Sequence, residues 1–268
     1  MRELVEIFDA ILAHMTDKIK AGLKREASGN ANEDSYRQLC VLHFLVQEQH
    51  GRFLAPALPS WDAALIARAA WETNLTLRWV QLDKPTNMPR VQAWGVLYDY
   101  ETLQEKKKDG ETIDTADEDK LIVELNTHFS NEVFSNETKR ELAASPNPTC
   151  TDFKKTKEVL PDVRKMVTEV WPDNPPLAAG VTPKRYRTYQ RLSEWTHGAS
   201  AGLRLMVEKK ADDSWMIKRA DNDWLGWSMG LLTRAMIHTA SAVAEFDSPA
   251  DLPPLETLKA RLEAIFPE

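Results

Sequence analysis

Apolar residues recur along this chain at intervals of three and four, the pattern of amphipathic helices. In residues 2–26, Leu4, Ile7, Phe8, Ile11, Leu12, Met15 and Ile19 make one such face, with acids and lysines opposite. The polar run SGNANED breaks it, and a second helix is predicted from about Ser35 to Gly51 through Leu39, Leu42, Leu45 and Val46. Ser60 is a good N-cap for a third helix, WDAALIARAAWETNLTLRWVQL. That helix is apolar nearly all round, as central helices are. Lys84 and Pro85 are expected to stop it, and Pro89 to sit in the first turn of a fourth helix that ends at Lys106, Lys107, Lys108 and Gly110. Cations in the last turn and a glycine just past it are C-terminal signals. Thr115 with Glu118 reads as a capping box for a fifth helix reaching about Phe134.

Residues 135–182 are choppy and read as an irregular insertion, with a short helix expected after Pro161 and the turn clusters SPNPT and WPDNPPLAAGVTP. Thr182 and Pro183 open a long helix, KRYRTYQRLSEWTHGASAGLRLMVE. The stretch KKADDSWMIKR is expected as a hairpin turning at Asp212 and Asp213. A buried helix follows from Asn222 to Phe246, and Pro253 and Pro254 start a C-terminal helix within residues 250–268. Eight or so helices with short connections predict an all-α multi-helix bundle with at most one small β-hairpin, folded as a single domain over residues 1–268.

Composition sharpens this picture. Ten glycines against fifteen prolines leave few tight hairpins, which favours helices further. A net charge of −7 argues against a general nucleic-acid or anionic-membrane binder. The charge is uneven, however: residues 184–219 hold nine basic and four acidic side chains. Cys40 and Cys150 form neither a zinc spacing nor a disulfide framework, which fits a reducing compartment. Glu3, Glu6 and Asp9 interrupt any signal-peptide core, and no run of ~18 apolar residues is present. A cytoplasmic protein without a membrane partner is expected.

Two groups of residues carry candidate chemistry. Arg68 and Glu72 lie four apart on the third helix, on the stripe that holds Trp71, Leu75 and Trp79. An unpaired ion in so apolar a helix costs several kcal/mol or more, so the pair is expected to be buried and to contact the helix bearing His197. On that helix Tyr189, Ser193 and His197 are spaced by four, Tyr186 joins their side, and Gly198 and Gly202 suggest a close approach or a kink. Positive potential beside a candidate acid/base suits a phosphate-bearing ligand. Each feature also has a purely structural reading, as an internal ion pair, a hydrogen-bonded core histidine and a solvated cationic face. His43 and His50 share a helical face but no carboxylate joins them at ligand spacing, and HExxH, a phosphate loop and GxSxG are absent. No metal or cofactor is expected.

Arg68-x-x-x-Glu72 followed by Tyr189-x-x-x-Ser193-x-x-x-His197-Gly198, with Ser200 as the later serine, resembles a broad family of bacterial helical proteins known as a domain of unknown function, over roughly residues 35–245. The span from Arg191 to His197 also resembles the R-x(4–6)-H signature of HEPN domains. Those are helical, usually dimeric, and in many members metal-independent ribonucleases of toxin–antitoxin and antiphage systems. The same spacing occurs at Arg37 and His43. The resemblance implies a homodimeric, HEPN-like endoribonuclease acting on RNA, with an antitoxin or other defence-system protein as a further partner. His197 is then the acid/base and Arg191 the phosphate clamp. Glu72, held by Arg68, orients the histidine, while Ser193 and Tyr189 supply hydrogen bonds. Arg191 lies about 120° around a straight helix from His197, so a joint role calls for a kink, a long arginine reach or a second subunit. The alternative is a non-catalytic binding or regulatory module in which these residues form a structural polar network.

Overall fold

The computed structural model describes residues 2–22, 28–54, 60–129, 134, 162–172, 184–196, 207–212, 214–217 and 222–267. The fold is an all-α bundle. Its described helices are α1 (Arg2–Gly22), α2 (Ala31–Phe53), α3 (Ser60–Leu82), α4 (Lys84–Lys108), α5 (Thr115–Phe129), α6 (Val163–Val170), α7 (Lys184–Thr196), α8 (Asn222–Asp247) and α9 (Leu252–Ile265). One antiparallel hairpin, β1 (Val207–Lys209) and β2 (Trp215–Ile217), pairs Val207 with Ile217 and Lys209 with Trp215. Its turn is closed at Asp212, whose carboxylate accepts from the Ser214 backbone N–H at 3.0 Å and from its hydroxyl at 2.6 Å. Contacts divide the chain into two compact units, residues 1–78 with 172–268, and residues 79–171.

The first unit is organised around α8, which packs on α1, α2 and α9. Leu225, Met229, Leu232, Met236, Ile237 and Val243 are all buried there, and each such side chain contributes ~1.5–3 kcal/mol when fully removed from water. Two buried threonines on this helix are satisfied locally: Thr233 donates to the Met229 carbonyl and Thr239 to the Ala235 carbonyl, both at 2.7 Å. On α1 the expected face is buried, with Ile7, Ile11 and Ile19 all at 0% exposure.

The start of α2 differs from the expectation. SGNANED does not simply break the chain but caps the helix. Gly29 takes a φ of 89°, which a residue with a side chain rarely adopts, and so aims Asn30 into the N-cap position. Asn30 Oδ1 accepts from Glu33 N at 3.3 Å, and the Asp34 carboxylate accepts from the Ser28 N–H. The helix therefore begins at Ala31, a turn before Ser35.

In the second unit, α4 and α5 pack on each other around Ala93, Leu97, Tyr100, Leu125 and Phe134. Trp79 is almost fully buried; its indole N–H donates to Glu169 Oε2 on α6 at 2.7 Å, and its carbonyl accepts from Asn87 Nδ2 at 2.9 Å. Lys84 and Pro85 do not hold α4 off until Pro89. Only Asp83 interrupts the helices, and its carboxylate caps Thr86 N at 3.2 Å. Pro85 occupies the first turn, where a missing N–H costs nothing, and Pro89 lies inside the helix. Nor does Thr115 cap α5 with Glu118. Asp114 caps it instead, accepting from Ala116 N at 2.9 Å, and Glu118 reaches across to Lys107 Nζ and Gln104 Nε2, both at 2.7 Å. Those two donors hold the Glu118 carboxyl below its ordinary value.

Candidate functional site

The candidate site lies in the first unit, between the α3 residues up to Leu77 and α7. Along α3, Ala63, Ala64, Ala67 and Ala70 are buried and small, while Leu65 is 43% exposed. The helix is therefore not enclosed all round. Arg68 and Glu72 stand at the rim of its buried face, which corrects the expectation that both are buried. The Arg68 side chain is 20% exposed and that of Glu72 40%, with Arg68 Nε donating to Glu72 Oε1 at 2.8 Å. Placed at this rim, neither ion bears the full desolvation penalty that a burial argument assigns it.

Of the pair, Arg68 is the one seen to meet α7, while His197 lies outside the described residues. The Arg68 guanidinium carbon stands 5.6 Å from the centroid of the Tyr189 ring, within cation–π range. Trp71, one turn on from Arg68 and buried, stacks on the same ring at 5.7 Å between centroids and 29° between planes. Tyr186 meets Tyr189 from within α7, at 5.7 Å and 31°. Arg68 thus couples a carboxylate to an aromatic cluster. Helical spacing alone points to Tyr189 through its hydroxyl, and to Trp71 and Tyr186 only as members of stripes. The signal for the cluster was present: Trp71 lies three after Arg68 and Tyr186 three before Tyr189, each one helical turn apart.

Along α7, Leu192 is fully buried, Ser193, Tyr189, Tyr186 and Arg185 are half-buried, and Arg187 and Gln190 are exposed. The backbone of Arg191 belongs to α7, but its side chain lies outside the described residues, as does the whole of His197. The structure therefore brings Arg68, Glu72 and Tyr189 together, with Ser193 on the same helix as Tyr189. Gly198, Ser200 and Gly202 also lie outside the described residues.

The second arginine–histidine spacing has a different use. Arg37 holds the Asp247 carboxylate through Nε at 2.8 and 3.0 Å and through Nη2 at 2.8 Å. His43 is half-buried, and burial lowers its pKa, as it does that of His50. Among the described residues no cluster of three or more His, Cys, Asp or Glu side chains is placed to hold a metal ion. No helix among them is long and apolar enough to cross a membrane. Compared with known proteins, the chain matches no protein-family model, no curated protein and no solved structure.

Proposed function

We propose that this protein is a metal-independent, HEPN-like endoribonuclease of a toxin–antitoxin or antiphage system, working as a homodimer in the cytoplasm. One observation carries the reading: the Arg68–Glu72 pair is joined through Tyr189 to the basic helix α7, whose first eight residues include Lys184, Arg185, Arg187 and Arg191 and no acid. In the proposed step His197 takes the proton of a ribose 2′-hydroxyl. The oxygen attacks the adjacent phosphorus, the bond to the 5′-oxygen breaks, and the His197 imidazolium returns a proton to that oxygen as it leaves. Arg191 offsets the charge that grows on the phosphorane. Glu72, fixed by Arg68, orients the imidazole, and Ser193 and Tyr189 supply hydrogen bonds.

The test is induced expression of the protein alone, followed by incubation of the purified chain with RNA in EDTA. Growth arrest and RNA cleavage are expected. His197→Ala removes both with an unchanged melting temperature, because an acid/base contributes ~10²–10⁴-fold in rate without a duty in packing. Arg191→Ala weakens both.

The second reading is a non-catalytic binding or regulatory module. It is favoured by the fact that Arg68, Trp71 and Tyr189 already engage one another, as a structural network does. In that case His197→Ala lowers the melting temperature, since each polar partner left unpaired costs ~1–3 kcal/mol, and the wild type cleaves no RNA.

A further inference from the structure

We propose that Tyr186 is a stacking platform for an unpaired base of single-stranded RNA, and that Arg187 engages the phosphate beside that base. The inference deepens the ribonuclease reading, from which it takes RNA as the polymer.

The argument begins with the order of side chains around α7. Steps of three residues turn a helix by about 60° backwards at 3.6 residues per turn. Leu192, Tyr189 and Tyr186 therefore lie side by side around the helix: Leu192 is at 0% exposure, and the two tyrosines are half-buried. Trp71 anchors the inner end of the cluster at 5% exposure, stacked on Tyr189. Tyr186 is the outer end, and Tyr189 is its ring neighbour among the described residues. Beyond Tyr186 around the helix come Gln190 and Arg187, both exposed.

A ring in contact with a neighbouring ring has less rotamer freedom to lose when a ligand arrives, so a base stacking on it pays a smaller ordering cost. Every base has a π-face, so such a platform takes any of the four, but only when the base is free of a duplex, where both faces are already covered. Tyr186 alone makes no distinction between a base and another flat group. Arg187 does: it is the next residue, lies in solvent, and belongs to a run that holds Lys184, Arg185 and Arg191 before the first acid, Glu194. An aromatic face beside a cation matches the alternation of base and phosphate along a single strand.

The experiment uses the full chain with His197→Ala, so that bound RNA stays intact, and fluorescein-labelled oligo(A), oligo(U) and an RNA duplex as probes read by anisotropy. Both single strands are expected to bind more tightly than the duplex. Tyr186→Ala is expected to weaken single-strand binding about tenfold, within the ~1–3 kcal/mol range for one stacked base. Tyr186→Phe keeps the face and stays within about twofold of the parent. Arg187→Ala, at an exposed site, leaves the fold intact, weakens both strands alike and lowers the salt slope by about one ion. Undiminished affinity in folded Tyr186→Ala, an unchanged salt slope in Arg187→Ala, or no single-strand binding overturns the platform. Cleavage by the wild type is scored separately. Cleavage with an indifferent Tyr186 sinks the platform and spares the ribonuclease. Binding that depends on Tyr186 without cleavage retires the ribonuclease and sustains the platform.

Discussion

Arg37, in the second turn of α2, and Asp247, the last residue of α8, form a two-pronged ion pair across 210 residues of sequence. Their side chains are 11% and 12% exposed. Asp247 would by itself be out of place, since a carboxylate at a helix C-terminus faces the negative end of the dipole. The planar guanidinium offsets this with three contacts and so fixes the end of α8 against the start of α2. Arg37→Met is therefore expected to strand the Asp247 carboxylate and cost roughly 3 kcal/mol, read by urea unfolding. Asp247→Asn should cost less, because a neutral amide needs less compensation. On the proposed ribonuclease reading, cleavage per folded molecule is expected to be the same in both variants as in the wild type.

Glu72→Ala is expected to cost under ~1 kcal/mol of stability, because a pair at 20% and 40% exposure is well screened by water. A loss near 3 kcal/mol in urea unfolding would place the pair in a much drier setting. If Glu72 orients the imidazole, the same variant loses cleavage activity far beyond its loss of stability.

Gly51 on α2 faces Phe8 of α1 so closely that an added Cβ would stand 1.9 Å from the ring. Phe8 is itself 3% exposed and hemmed in, so the ring has little room to retreat. Gly51→Ala is expected to destabilise by ~1–3 kcal/mol, as overpacking does, despite the better helix propensity of alanine. Differential scanning calorimetry checks this, and Gly51→Ala combined with Phe8→Leu should recover part of the loss.

His238 on α8 gives the first unit a defined acid response. Burial first, then the positive charges of Arg78 and Lys259, push its pKa down to about 3. The folded chain keeps it neutral while the unfolded chain protonates it near its ordinary value of 6.5. Stability from this group is therefore complete above pH 6.5 and falls with pH between 6.5 and about 3, by about 1.4 kcal/mol per pH unit where only the unfolded state is charged. His43 and His50 of the same unit are lowered by burial too and act in the same direction. His238→Gln is expected to flatten the unfolding free energy across that window relative to the wild type.

The helical architecture was readable because its signals are local. The apolar face of α1, the hairpin turn at Asp212 and the prolines opening α9 each lie within a few residues of what they determine. Arg68, Glu72 and Tyr189 were readable as a group because charge and hydroxyls on apolar stripes demand partners. Their depth was not readable: periodicity says which side of a helix is apolar, not how far from the rim a given side chain sits. Arg37 with Asp247, and Glu118 with Gln104, escaped for the complementary reason. Such pairs are made by tertiary packing, and a polar run such as SGNANED reads alike whether it ends one helix or caps the next.

The first unit is assembled from the two ends of the chain around α8. Synthesis runs in the other sense. When α1 and α2 leave the ribosome, Ile7, Ile11, Met15 and Phe44 emerge with the helix that will cover them still unmade. Residues 79–171, being contiguous, have all the members of their own unit at hand once Trp171 is out. The N-terminal helices must wait until residues 222–247 follow, holding apolar faces open to chaperones or to neighbouring chains in the interval. A stop codon shortly before Asn222 is therefore expected to give aggregated protein, read by sedimentation of the expressed fragment.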